Sequence, residues 1–164
     1  MGRLDELIPE ARTPAYRLIA VAADQGAALR VGFVYRSFAT QKALWMQKRF
    51  KLDLVNDQRK LVGLAPITAE ENSRTVTRAK PGRSWHNWRR ALDLIPIDQA
   101  TAADLSDRDE PVWDVPYWPG LGAIGKHLGF GWGGDWKRPD RPHFQWSRGG
   151  NLNDLIACMP EGMS

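Results

Sequence analysis

The stretch SWHNWRRALDLIP, residues 84–96, decides how the chain is read. Its second half, ALDLI, is a short strand pattern stopped by Pro96, and period-two alternation puts Asp93 on the same strand face as Ala91 and Ile95. An unpaired buried carboxylate is costly, so Asp93 must be protonated, ion-paired or bound to a cation. His86 lies seven residues earlier, just past a Pro81-Gly82 turn signal, and His143 lies 50 residues later at the start of a second strand pattern, HFQW. Two imidazoles and one carboxylate form a three-ligand set that suits catalytic zinc and leaves a fourth position for water. Spacing alone is a weak signal, because such residues more often have structural or solvated roles.

Outward from this stretch, apolar and small residues at Ile19, Ala22, Ala23, Gly26 and Leu29 predict a helix over residues 15–29. RVGFVY, residues 30–35, predicts a strand packed against it. Ser37 is placed to cap a helix over residues 40–50 in which Ala43, Met46 and Phe50 share a face. Residues 51–80 have poor periodicity and are expected to form a long surface excursion, and residues 101–116 read as acidic and irregular. A third helix is predicted over residues 120–128. A loop punctuated by Gly129, Gly131, Gly133 and Gly134, a strand over residues 143–146 and a helix over residues 153–158 complete the chain. Strands and helices are segregated, which favours an α+β fold.

The 164 residues suit one domain, residues 1–164, with one core. No apolar run approaches the roughly 18 residues of a membrane span, so no membrane insertion is expected. The net charge of +4 favours an anionic partner, nucleic acid or cell wall, and is too small to make nucleic-acid binding compelling. The single Cys158 excludes a disulfide framework and cysteine-rich metal sites, so a metal must sit on His and carboxylates. The start, MGRLDELIPEAR, lacks the apolar core of a secretory signal, and synthesis in the cytoplasm is expected. Eight tryptophans imply either a broad core or an aromatic-walled groove. Trp85, Trp88, Trp132 and Trp136 cluster in sequence around the proposed site, and Lys137, Arg138 and Arg141 with Arg89 and Arg90 are a basic set for an anionic wall or for solvent.

Asp140 precedes His143 by three residues in PDRPHFQW, where Pro139 and Pro142 favour a turn running into a strand. A carboxylate there could take a proton from an activated water and pass it to a leaving amine. Asp135 is the rival, and its distance from His143 favours a structural role in the glycine-rich loop. Arg36, at the end of RVGFVY, is a candidate for the fixed cation that stabilises an oxyanion or holds a substrate carboxylate. His127 reads as a helix residue rather than a ligand.

YRSFATQ (residues 35–41), SWHNWRRALDL (residues 84–94) and GFGWGGDWKRPDRPHFQW (residues 129–146) together resemble the zinc D-alanyl-D-alanine carboxypeptidase family. Within it they are most similar to the L-alanyl-D-glutamate endopeptidases used as bacteriophage endolysins. The pattern is Ser-x-His, six residues, Asp, then much later an acidic residue, two residues and His. The resemblance implies that His86, Asp93 and His143 bind Zn2+, that Asp140 is the general base, that Arg36 contacts substrate or transition state, and that Ser84 contacts substrate. It implies a small antiparallel sheet flanked by helices, as in hedgehog and D-Ala-D-Ala carboxypeptidase folds. The implied protein is a monomer that cuts the peptidoglycan stem peptide and reaches the periplasm through a membrane lesion made by a partner protein. Trimming of a terminal D-alanine, or a zinc-stabilised binding module without catalysis, are the alternative functions. Arg89 departs from the pattern, which usually has glycine there; glycine at such a site commonly serves a positive φ or a close backbone approach.

Overall fold

The computed structural model describes residues 3–97 and 115–159. The chain divides into two compact units, residues 1–35 with 89–151 and residues 36–88 with 152–164. The irregular tract expected at residues 101–116 lies outside the described residues apart from its last two positions.

The first unit holds a four-stranded antiparallel sheet. Its strands are β1 (Leu29–Val31), β2 (Ala91–Pro96), β3 (Gly131–Trp132) and β4 (His143–Gln145), in the order β1-β2-β4-β3. β1 is shorter than the expected strand because at Gly32 the ladder gives way to two bonds on one residue. The Gly32 N–H donates to the Asp93 carbonyl at 2.7 Å, and the Asp93 N–H donates to the Phe33 carbonyl at 2.9 Å. A side chain at position 32 would crowd Ile95 and the Asp93 carbonyl, at 3.0 and 3.2 Å from its Cβ.

Helix α1 (Pro9–Asp24) begins six residues before the expected start, with Pro9 in the first turn where its missing N–H is harmless. Its buried stripe is Ala11, Ala15, Leu18 and Ala22. Three alanines carry little hydrophobic signal, and so the first turns escape a reading based on large apolar residues. Helix α5 (Trp118–Leu128) matches the expected third helix and ends on Gly129 at φ +106°. Leu92, Leu94 and Phe144 from the sheet join Leu18, Trp118 and Leu121 from these helices in one core. Phe144 packs directly against the α5 backbone: a Cβ added to Gly125 would lie 2.5 Å from its ring. Asp93 does share a strand face with Ala91 and Ile95, but the core side chains of β2 are Leu92 and Leu94 on the opposite face.

The second unit is helical. It holds α2 (Phe38–Met46), α3 (Leu52–Leu61), α4 (Ala69–Asn72), a 3-10 turn over Trp85–Trp88, and α6 (Leu152–Ala157). Ser37 caps α2 as expected, its Oγ accepting the Thr40 N–H at 3.0 Å. The helix stops four residues early, however. Lys48 turns the chain at φ 68°, and Phe50 is exposed instead of sharing the buried face of Ala43 and Met46.

Residues 51–80 do run largely over the surface, as expected, but they carry α3 and α4. Val55 is fully buried on α3, and polar side chains hold the rest together. Asn56 both donates to the Ile67 carbonyl at 3.0 Å and accepts the Ile67 N–H at 2.8 Å. Thr68 and Glu71 form a capping box on α4, and Gln47 donates to the Glu71 carbonyl at 2.7 Å. Apolar periodicity does not register a segment closed by amide hydrogen bonds.

Arg89 adopts φ 57°, so the chain keeps the left-handed conformation that glycine would supply. The residue is anchored on both sides. Its carbonyl accepts the Ile8 N–H at 2.9 Å, its Nη1 donates to the Glu6 carbonyl at 3.2 Å, and its guanidinium lies 4.1 Å from the centre of the Tyr35 ring. Arg89→Gly relieves the strain and loses the stacking, so stability should change by less than about 1 kcal/mol. Arg89→Val, β-branched at positive φ, should cost about 2 kcal/mol. Gly125→Val should cost about 2 kcal/mol through overpacking against Phe144. Urea-denaturation midpoints at constant slope measure all three.

Candidate metal centre

The sheet register brings Asp93 and His143 face to face, since they are directly paired residues of β2 and β4. His143 Nδ1 lies 3.2 Å from Asp93 Oδ1, and His143 Nε2 lies 3.3 Å from Gln145 Oε1. The His143 side chain is 8% exposed, and the Asp93 side chain 18%. Burial alone would lower the His143 pKa, but the hydrogen bond and charge of Asp93, the charge of Asp140 and the Gln145 contact outweigh it. The net direction is upward. Without a metal the ring therefore holds its proton more readily than a free imidazole, and that proton must leave before the nitrogen can act as a ligand.

Asp140 sits three residues upstream in a turn closed by the His143 N–H donating to the Asp140 carbonyl at 3.1 Å. The Asp140 N–H in turn donates to the Gly133 carbonyl at 2.9 Å. Gly133 has no room for a side chain: a Cβ would collide with the Asp140 carbonyl oxygen. The glycine-rich loop thus sets the Asp140 backbone, while its residue is exposed and its charge reaches His143. Asp135 accepts from Lys126 Nζ on α5 at 2.8 Å. His127 is exposed on α5.

The tryptophans divide between core and surface. Trp118 and Trp146 are buried in the core, and Trp132 stacks on Phe144 and donates to the Arg141 carbonyl at 2.8 Å. Trp136 is 44% exposed, with its ring centre 5.1 Å from that of His143.

In the second unit, His86 lies in the 3-10 turn and is 3% exposed. Its carbonyl accepts the Arg36 N–H at 3.1 Å, and the neighbouring Asn87 Nδ2 donates to the Arg36 carbonyl at 2.7 Å. Arg36 is buried, and its Nη1 donates to Gln41 Oε1 at 3.0 Å. Gln41 is itself buried, with Nε2 donating to the Ala79 carbonyl at 2.7 Å and to Thr77 Oγ1 at 3.2 Å. Ser84 is buried beside the turn, its carbonyl accepting the Asn87 N–H at 3.0 Å. Gln41 and Asn87 are supports that sequence reasoning missed. The available signal was an amide five residues after Arg36 on a capped helix, and another directly after His86.

Asp93 and His143 offer two neighbouring ligand atoms in the first unit, and His86 offers a buried imidazole in the second. Two buried imidazoles and one carboxylate fit zinc, which takes nitrogen and oxygen ligands and keeps an open position in catalytic sites.

Comparison with known proteins agrees with this chemistry. A peptidase M15 family profile described as D-alanyl-D-alanine carboxypeptidase matches residues 77–146. The peptidoglycan L-alanyl-D-glutamate endopeptidase CwlK of Bacillus subtilis (strain 168) is 30% identical over 151 residues, spanning 85% of this chain and 73% of that protein. Among solved structures, the LdcB LD-carboxypeptidase aligns over 94% of this chain and 70% of its own, at 15% identity and a TM-score of 0.53. A mutant of the vancomycin-resistance D,D-pentapeptidase VanY, in complex with Zn(II), aligns over 92% and 83%, at 15% identity and a TM-score of 0.51. Those two likenesses bear on the fold, which they share. With the CwlK match extending over most of both sequences, the chain belongs to the D-alanyl-D-alanine carboxypeptidase family of zinc-dependent peptidases and is a hydrolytic enzyme.

Proposed function

We propose that the chain hydrolyses the L-alanyl-D-glutamate bond of the peptidoglycan stem peptide and serves as a phage or prophage lysis enzyme, made in the cytoplasm and acting on the cell wall after release. The observation that carries this reading is a donor set of two histidines and one aspartate in a chain 30% identical to an L-alanyl-D-glutamate endopeptidase. When bound, zinc polarises the scissile carbonyl and lowers the pKa of a water towards about 7. His86, Asp93 and His143 would hold it.

Asp140 is the general base. Its carboxylate takes the proton of the attacking water and returns it to the leaving amine, a role that suits an exposed acid on a loop fixed by Gly133. Arg36 steadies the negative charge that develops on the carbonyl oxygen or grips a substrate carboxylate. Its guanidinium is held by Gln41, so little orientation is left to lose on binding. Ser84 contacts the substrate. The second reading, removal of a terminal D-alanine, is favoured by the description of the family profile matched by residues 77–146.

Digestion of purified muropeptides with the zinc-loaded protein separates the two. New amino groups on D-glutamate are expected; released D-alanine would establish the carboxypeptidase reading, and turnover unaffected by a chelator would remove the metal from either. Asp140→Ala should lower turnover by about 10²–10⁴-fold while zinc content stays stoichiometric, as read by metal analysis of the same sample.

A further inference from the structure

Charge is unevenly distributed along the chain. Residues 36–88 carry eleven Lys and Arg against four Asp and Glu, a local excess of +7 in a protein whose total is +4. Part of this excess gathers on one aromatic cluster. The Arg49 guanidinium lies 5.1 Å, and the Lys80 ammonium 5.8 Å, from the centre of the Trp45 ring. The Phe50 ring stands 5.9 Å from the same ring and is 42% exposed.

Arg49 is held in place by carbonyls rather than by an acid: its Nη1 donates to Trp45 O at 2.6 Å and to Thr77 O at 3.1 Å. Both cations are on exposed residues. Two exposed cations beside one ring draw an anion to this part of the surface. The rings add a flat apolar surface of the kind on which the C–H face of a sugar ring packs.

From this arrangement we infer that Trp45, Arg49, Phe50 and Lys80 form a docking site for an acidic polysaccharide, with sugar rings against Phe50 and Trp45 and carboxylates on Arg49 and Lys80. A polyphosphate would use the cations and leave the rings idle. A neutral glycan would do the reverse. The inference rests on the peptidoglycan-peptidase reading only for the setting in which the enzyme meets such a polymer, and binding can be measured without hydrolysis.

Full-length protein is titrated calorimetrically with polygalacturonate, uncharged dextran, linear polyphosphate and duplex DNA at one ionic strength. Polygalacturonate should bind at least about tenfold more tightly than any of the others, a difference of about 1.4 kcal/mol. The Arg49→Gln/Lys80→Gln double variant and, separately, Phe50→Ala should each weaken it by several-fold with unfolding midpoints close to that of the parent. Hydrolysis of a small soluble stem peptide by the double variant should be unchanged while release from intact sacculi falls. Polyphosphate or DNA binding as tightly as polygalacturonate, or variants that bind it like the parent, would overturn the site. If neither soluble peptide nor sacculi are cut by the parent, the peptidase reading fails and the titrations still decide this one.

Discussion

Pairing of Asp93 with His143 across β2 and β4 is the constraint on which the rest depends. Backbone hydrogen bonds set it before either side chain contributes, because the ladder that places Leu92 opposite Phe144 in the core necessarily places Asp93 opposite His143 on the other face. A slip of one residue would expose Leu92 and Leu94 and bury Asp93. The hydrophobic demand of the core thus enforces a polar register that, by itself, would be unfavourable. Burial works against a charged imidazole, and Asp93, Asp140 and Gln145 together tip His143 towards the protonated form.

The glycine-rich loop extends the same logic to Asp140. Asp140 owes its position to two backbone hydrogen bonds, one into β4 and one back to Gly133. Asp135, five residues earlier, is tied to α5 by an ion pair with Lys126.

What the sequence reveals follows from which forces it encodes locally. Alternation in ALDLI, the Ser37 cap and the helix ending at Gly129 depend on nearest neighbours and are legible. So is the chemistry of the candidate site, since a carboxylate within an apolar strand has few physical explanations. Helix α1 starts earlier than its pattern suggests because alanines form its buried stripe, and α3 and α4 are hidden because Asn56, Thr68 and Glu71 close them with hydrogen bonds. Amide contacts between distant segments, such as Gln41 with Ala79, leave no periodic trace at all.

Arg89 shows how a departure from a sequence pattern can preserve the geometry the pattern protects. Glycine is favoured at positive φ because other residues are strained there by about 1–3 kcal/mol. The Tyr35 contact, worth about 0.5–1 kcal/mol at an exposed site, and the bond from Nη1 to the Glu6 carbonyl offset much of that strain. The arginine also ties the N-terminal segment to the start of β2, since the Ile8 N–H donates to its carbonyl. Glycine would reach the same φ without the Tyr35 and Glu6 contacts. The substitution therefore exchanges conformational ease for attachment, and it is no argument for a lost activity: the left-handed turn leading into Asp93 is intact.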